Sequence, residues 1–251
     1  HGFIPRKHVD HMHPDAVIAI AASADSQKLT REIYGDDIGW LPWLRPGFEL
    51  GLRLGQFVKE NPKARGVVLE AHGLFTWGDT AEQCYNTTID VINRTSRWLA
   101  AKQAANGGFG KIKVAAASPE RRRAVAAAVM PVIRGLISAD RPKVGHFNDS
   151  VEVLDFVGSE AFERLAAIGT SCPDHFLRTK IAPLVLGFDP AKEGEPALIA
   201  RIPAAVAAYR DMYKAYYERC KRADSPAMRD ANAVVYLIPG VGMITFAADK
   251  A

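Results

Sequence analysis

Apolar residues recur at helical spacing in several stretches of this 251-residue chain. Leu50, Leu54, Phe57 and Val58 fall at i, i+4, i+7 and i+8, which predicts a helix from Phe48 to Lys59 closed by Asn61-Pro62. Ala16–Ala22 follow His13-Pro14-Asp15. Pro suits the first helical turn and Asp the positive end of the helix dipole, so a strand is expected to turn into a helix there. Thr80 is a side-chain cap for a helix running towards Gln103, with Cys84, Val91, Ile92, Thr95 and Leu99 inward. The short apolar runs Val67–Glu70 and Leu74–Trp77 read as strands flanking Ala71-His72-Gly73, and residues 33–46, rich in Gly, Asp, Pro and Trp, as a loop.

The second half carries the same kinds of signal. Asn106-Gly107-Gly108-Phe109-Gly110 reads as a linker. Ser118-Pro119-Glu120 opens an Ala/Val-rich helix that Pro131 is expected to interrupt. Val151–Val157 reads as a strand, Glu160–Ala167 as a helix, and Pro196–Arg222 as a long helix. Tyr209, Met212, Tyr213, Tyr216 and Cys220 form a stripe at helical spacing, read as core. Ala231–Ala248 is 18 residues without a charge. Pro239, Gly240 and Gly242 would break a helix there, so it reads as two strands, Ala233–Ile238 and Met243–Phe246, not as a membrane span. Alternating strands and helices imply an α/β class, with α+β as the alternative, in two domains, residues 1–110 and 111–251.

Composition narrows the function without naming it. With 48% hydrophobic and 24% charged residues the chain is that of a folded protein. A net charge of +4 gives no case for nucleic acid or for an acidic membrane as partner, and Arg121-Arg122-Arg123 reads as a solvated helix face. Cys84, Cys172 and Cys220 are odd in number and far apart, which argues against a disulfide framework and for a reducing, cytoplasmic compartment. The chain opens on His1 rather than Met, and is expected to be an interior piece of a longer polypeptide.

The chemistry concentrates in Asp10-His11-Met12-His13-Pro14. On an extended strand, imidazoles at i and i+2 share a face, close enough to hold one metal ion; two surface histidines are the plain alternative. His72 adds a third ring in a tight connection between two apolar strands, where a lone histidine would more often be a hydrogen-bonded turn residue.

His-x-His-Pro before an apolar helix, then His72-Gly73-Leu74-Phe75 leading through Gly78 to another helix, resembles the class II aldolase/adducin superfamily over about residues 1–105. Trp40-Leu41-Pro42-Trp43 with Pro46-Gly47 is similar to a loop of the rhamnulose-1-phosphate aldolases. The whole chain, including residues 171–180, resembles the aldolase part of long bacterial proteins that carry a short-chain dehydrogenase domain after it. The resemblance implies a layered sheet with flanking helices, a homo-oligomer, and His11, His13 and His72 as ligands of Zn²⁺ or another divalent metal.

It further implies cleavage of a sugar phosphate such as rhamnulose 1-phosphate to dihydroxyacetone phosphate and an aldehyde, with positive charge on the metal stabilising an enediolate. The family's acid/base glutamate and its phosphate-binding segments fall upstream of His1. The catalytic acid/base is therefore unknown in this chain, and metal binding with little turnover is expected of it. No Gly-x-Gly-x-x-Gly follows a strand, so no cofactor-binding residues are expected and any NAD would bind outside these residues. A dehydrogenase activity of the longer protein and an adducin-like scaffold are the alternatives to the aldolase. His8, Asp10 and Glu70 are each either supports for the ligands or ordinary strand residues. Glu32 lies where the rhamnulose-1-phosphate aldolases place an acidic residue, but the surrounding loop differs and no role is carried over. Cys172, Asp174 and His175 resemble a reactive grouping but are expected to open a helix over a buried thiol.

A shift of 169 positions aligns His72–Trp77 with Val241–Phe246, and His11–Pro14 with Lys180–Pro183. This suggests that the second domain is a degenerate repeat that lost its ligands, against chance likeness of short apolar strands.

Overall fold

The computed structural model describes residues 1–106 and 108–249, so Gly107 of the glycine-rich segment lies outside the described residues. The chain forms two compact units, residues 1–108 with 171–174, and residues 109–170 with 175–251.

The first unit runs β1 (His8–Met12), α1 (Asp15–Ala21), α2 (Ser26–Tyr34), β2 (Ile38–Leu41), α3 (Phe48–Glu60), β3 (Gly66–Leu69), β4 (Gly73–Gly78) and α4 (Ala81–Asn106). Its sheet has the order β1-β4-β3-β2, with β2 parallel to β3 and the other pairs antiparallel. Alternation along β3 and β4 divides the core. Val67, Leu69, Phe75 and Trp77 pack with Leu50, Leu54, Phe57 and Val58 of α3 on one face. Val68 and Leu74 pack with Val17, Tyr34 and Val91 of α1, α2 and α4 on the other. A strand covered on both faces reads as a continuous apolar run, which is how Gly66–Leu69 reads.

The second unit runs α5 (Pro119–Ile137), β5 (Val144–Asn148), α6 (Val151–Gly158), α7 (Phe162–Ile168), α8 (Pro173–Thr179), β6 (Leu184–Val185), α9 (Glu195–Cys220), β7 (Val235–Ile238) and β8 (Gly242–Ala247), although the first two residues of α8 cluster with the first unit. Its sheet has the order β5-β8-β7-β6, again with one parallel pair, β6 with β7. The hairpins match without a gap: Gly66 faces Thr76 and Leu69 faces Gly73, while Val235 faces Thr245 and Ile238 faces Gly242.

Strand order and hairpin register thus repeat, but the alignment of His11–Pro14 with Lys180–Pro183 does not hold. The strand beside β8 is β5, and Phe147 faces Ile244 where His11 faces Phe75. Phe147, Asp149 and Val241 therefore occupy the places of His11, His13 and His72. Lys180 instead precedes the parallel strand β6.

Other expectations need correction. Residues 33–46 are not all loop: Ile38–Leu41 is β2, bonded to β3. Val151–Val157 is the helix α6, where Ser150 takes the N-cap position and Val153, Phe156 and Val157 pack inward at i, i+3 and i+4. α5 continues through Pro131; that ring and Ala127, whose carbonyl loses its helical donor, are both exposed, so water can take the donor's place. Of the stripe on α9, Tyr209 is buried, whereas Met212 and Cys220 are exposed. No helix of the described residues is long and apolar enough to cross a membrane.

Candidate metal centre

β1 and the turn before β4 bring the three histidines together. Antiparallel pairing sets His11 opposite Phe75, and the two rings stack at 4.1 Å. Strand alternation puts His13 on the same side as His11. The β3–β4 turn is pinned by the neighbouring backbone: Glu70 N donates to Leu41 O, Ala71 N to Ala21 O, and His72 N to Leu69 O, at 3.0, 2.8 and 3.1 Å. Ala71 sits at φ 49°, a left-handed conformation that an L-residue adopts at some cost. The glycine after His72 has a steric reason: a Cβ at Gly73 would lie 2.3 Å from His13 Cδ2.

One nitrogen from each of His11, His13 and His72 lies within 4.8 Å of the others. Outer partners fix the tautomers of His11 and His13. His11 Nδ1 lies 3.0 Å from Leu74 O, and a carbonyl oxygen only accepts, so the proton of neutral His11 sits on Nδ1. His13 Nδ1 lies 2.7 Å from Asp174 Oδ2, a carboxylate that likewise accepts. Both Nε2 lone pairs then face one another at 3.1 Å. His72 is buried, and its Nδ1 has no hydrogen-bond partner. Facing lone pairs on two rings with a third imidazole in reach suit a cation, and ligands at about 2.0–2.1 Å from a tetrahedral Zn²⁺ stand about 3.3 Å apart. The donor set fits a divalent metal.

Burial favours the neutral, ligating form of His11 and His72. Burial chiefly lowers the pKa of His11 to about 4, with the Leu74 carbonyl opposing and His13 and His72 adding to the fall. His72 is lowered by burial and then by His13.

The other sequence candidates lie elsewhere. Asp10 points away from His11, as strand alternation requires, and accepts from Thr88 Oγ1 at 3.1 Å on α4. His8 pairs with Gly78 at the far end of the ladder from the turn. Glu70 accepts the Trp43 backbone N–H at 2.9 Å and so holds the tryptophan-containing loop. Glu32 takes the Trp98 indole N–H at 3.1 Å and pairs with Lys102. Cys172 is a buried thiol, but its neighbour Asp174 reaches His13, a role that sequence spacing gave no means of finding. His175, at its side, forms no part of the three-imidazole cluster.

The chain is similar to known proteins along nearly all of its length. Residues 4–112 match the family described as class II aldolase and adducin N-terminal domain, and residues 124–251 match the aldolase class II second domain. Over 244 residues, 97% of its length, the chain is 36% identical to a Bacillus subtilis (strain 168) protein named uncharacterized oxidoreductase YuxG, and spans 35% of that protein. Among solved structures, the N-terminal class II aldolase domain of a conserved Thermoplasma acidophilum protein is 32% identical, with a TM-score of 0.36, over 39% of this chain and 45% of that one. An aldolase II superfamily protein from Pseudomonas syringae is 20% identical, with a TM-score of 0.32, over 39% and 40%. The two family matches cover nearly all of the chain, and it belongs to the class II aldolase/adducin superfamily.

Proposed function

We propose that residues 1–110 are the metal-binding domain of a divalent-metal-dependent aldolase, with residues 111–251 a second, ligand-free domain of the same descent. The observation that carries this reading is the paired Nε2 atoms of His11 and His13, 3.1 Å apart with both outer nitrogens engaged, with a nitrogen of buried His72 within 4.8 Å of the ligating set. An adducin-like scaffold has no use for three clustered imidazoles, two of them held in ligating tautomers. Zn²⁺ suits a three-imidazole set, and an open fourth position is the mark of a catalytic site.

The substrate in this reading is a phosphorylated deoxyketose such as rhamnulose 1-phosphate, cleaved to dihydroxyacetone phosphate and an aldehyde. A bound divalent ion supplies positive charge where the ketose oxygen gains negative charge as the carbon–carbon bond breaks. Imidazole ligands are neutral and so would leave the cation's charge undiminished. Leu74 O and Asp174 hold two of the rings in the ligating orientation. The Phe75 ring, stacked on His11, limits its rotation. No residue of this chain is assigned as the acid/base that moves the proton.

The protein would work in the cytoplasm as a homo-oligomer, on a small sugar phosphate, with no nucleic-acid or membrane partner. The B. subtilis relative, almost three times as long and named an oxidoreductase, favours a second activity in a longer protein; its NAD site would lie outside these residues.

Metal analysis tests the reading. One divalent ion per chain, lost in His72→Ala and accompanied in the full-length protein by release of dihydroxyacetone phosphate from rhamnulose 1-phosphate, supports it. A wild-type chain that holds no metal after dialysis against Zn²⁺ excludes it.

A further inference from the structure

At one end of the second sheet, Arg141, Lys143, Arg178, Lys180 and Arg229 line a cavity of about 200 Å³. It lies where β5 and β7 begin and β8 ends, away from the β7–β8 turn that corresponds to the His72 turn. Asp230 is the one carboxylate among the lining residues, and it sits 3.3 Å from Lys143. Asp140 also approaches Lys143, at 3.7 Å. Among the described residues, no carboxylate comes within ion-pair distance of Arg178, Lys180 or Arg229. The corresponding end of the first sheet is different: there Arg65 is closed off by Asp37 and Asp90.

Two of the cations are held in place by the fold. Lys143 is buried, with 8% of its side chain exposed. Lys180 has φ 68°, a left-handed conformation disfavoured for lysine. Its ammonium donates to Asp230 O at 2.7 Å and stands 4.5 Å from the centre of the Tyr213 ring, leaving two N–H groups for another acceptor. Burial lowers its pKa; Asp230 resists, and Lys143 and Arg229 reinforce the fall. A bound anion would relieve that repulsion.

We propose that this cavity binds a phosphate group, free or carried as a small monoester, between Lys180, Arg178 and Arg229. Phosphate suits the site because donors converge from three separate segments, at Arg141–Lys143, Arg178–Lys180 and Arg229. A tetrahedral dianion offers acceptors in several directions at once, whereas a lone carboxylate offers a single plane. The site is independent of the histidine cluster, which lies in the other unit.

Isothermal titration of inorganic phosphate and of glycerol 3-phosphate into the metal-loaded chain, at constant ionic strength in chloride, tests this. One equivalent should bind with a dissociation constant near or below about 1 mM. The double variant Arg178→Gln/Arg229→Gln changes two exposed side chains and should keep its circular dichroism spectrum while weakening binding about tenfold or more. His72→Ala should bind phosphate as the wild type does, which separates this site from the metal reading. Tighter binding of the monoester identifies a carried phosphate, and equal binding a free one. Absence of saturable binding, binding that the double variant leaves unchanged, or binding lost in His72→Ala overturns the proposal.

Discussion

Asp174 Oδ2 accepts a hydrogen bond from His13 Nδ1 at 2.7 Å across 161 positions of sequence. The carboxylate fixes which nitrogen of His13 carries the proton, and thereby leaves Nε2 free to ligate. Removing it in Asp174→Ala should weaken metal affinity about 10–100-fold. Asp174 is more than half exposed, so folding stability should move by no more than about 0.5 kcal/mol. Competition with a chromogenic chelator reads the first effect, and urea denaturation of the metal-free protein the second. Equal affinities in the two proteins would remove Asp174 from the account.

Gly73 should tolerate no side chain. A Cβ there lies 2.3 Å from His13 Cδ2 and 2.9 Å from Met12 O, so Gly73→Ala must displace either the ring or the edge strand. The expected cost is about 1–3 kcal/mol of stability, together with loss of metal. Gly135, where an added Cβ meets nothing within 4 Å, supplies the control: Gly135→Ala should leave metal content unchanged.

Metal should stabilise the fold only through the three imidazoles. At a hundredfold excess over its dissociation constant, a ligand that binds the native state alone adds about 2.7 kcal/mol. Wild-type protein should therefore melt at a higher temperature with Zn²⁺ than with a chelator. His72→Ala should melt at one temperature under both conditions, and calorimetry reads the difference.

Asp37 should govern part of the acid stability of the first unit. It accepts from Arg65 at 2.6 Å and from Arg94 at 2.9 Å. The Arg65 bond is the main cause that holds its pKa below the ordinary 3.8. A carboxylate lowered in the folded state contributes stability above its unfolded pKa, and that contribution disappears as pH falls through the folded value. Asp37→Asn should thus be less stable than wild type by about 1 kcal/mol at neutral pH, with the gap closing below pH 3.8. Urea midpoints measured along a pH series would show it; a constant gap would contradict the assignment.

The sequence made the hairpin and the ligands readable because both are local. Val67–Leu69 and Leu74–Trp77 are apolar runs around a turn, and His11 and His13 declare their common face through a spacing of two. β2 was hidden because Gly39 interrupts it, and the glycine is there for a tertiary reason: a Cβ would lie 2.1 Å from the Phe57 ring. β5, Val144–Asn148, is an edge strand without clear alternation. α6 read as a strand because Val151-Glu152-Val153 alternates, although Val151 is exposed. Asp174 was out of reach since nothing local connects it to His13. The repeat was visible in its hairpin, where the offset is constant, and misplaced in its first strand, because the second unit inserts a longer path between β5 and β7.

The register between β1 and β4 separates the candidate ligands from what holds the fold together. All three imidazoles are carried on backbone with hydrogen bonds of its own: a five-pair ladder from His8 to Met12 and a turn tied to Leu69, Leu41 and Ala21. In small zinc modules the ion must arrive before the chain can fold. Here the ladder and the turn carry the imidazoles on backbone bonds of their own, so replacing a ring, as in His72→Ala, should abolish metal binding and leave the fold standing.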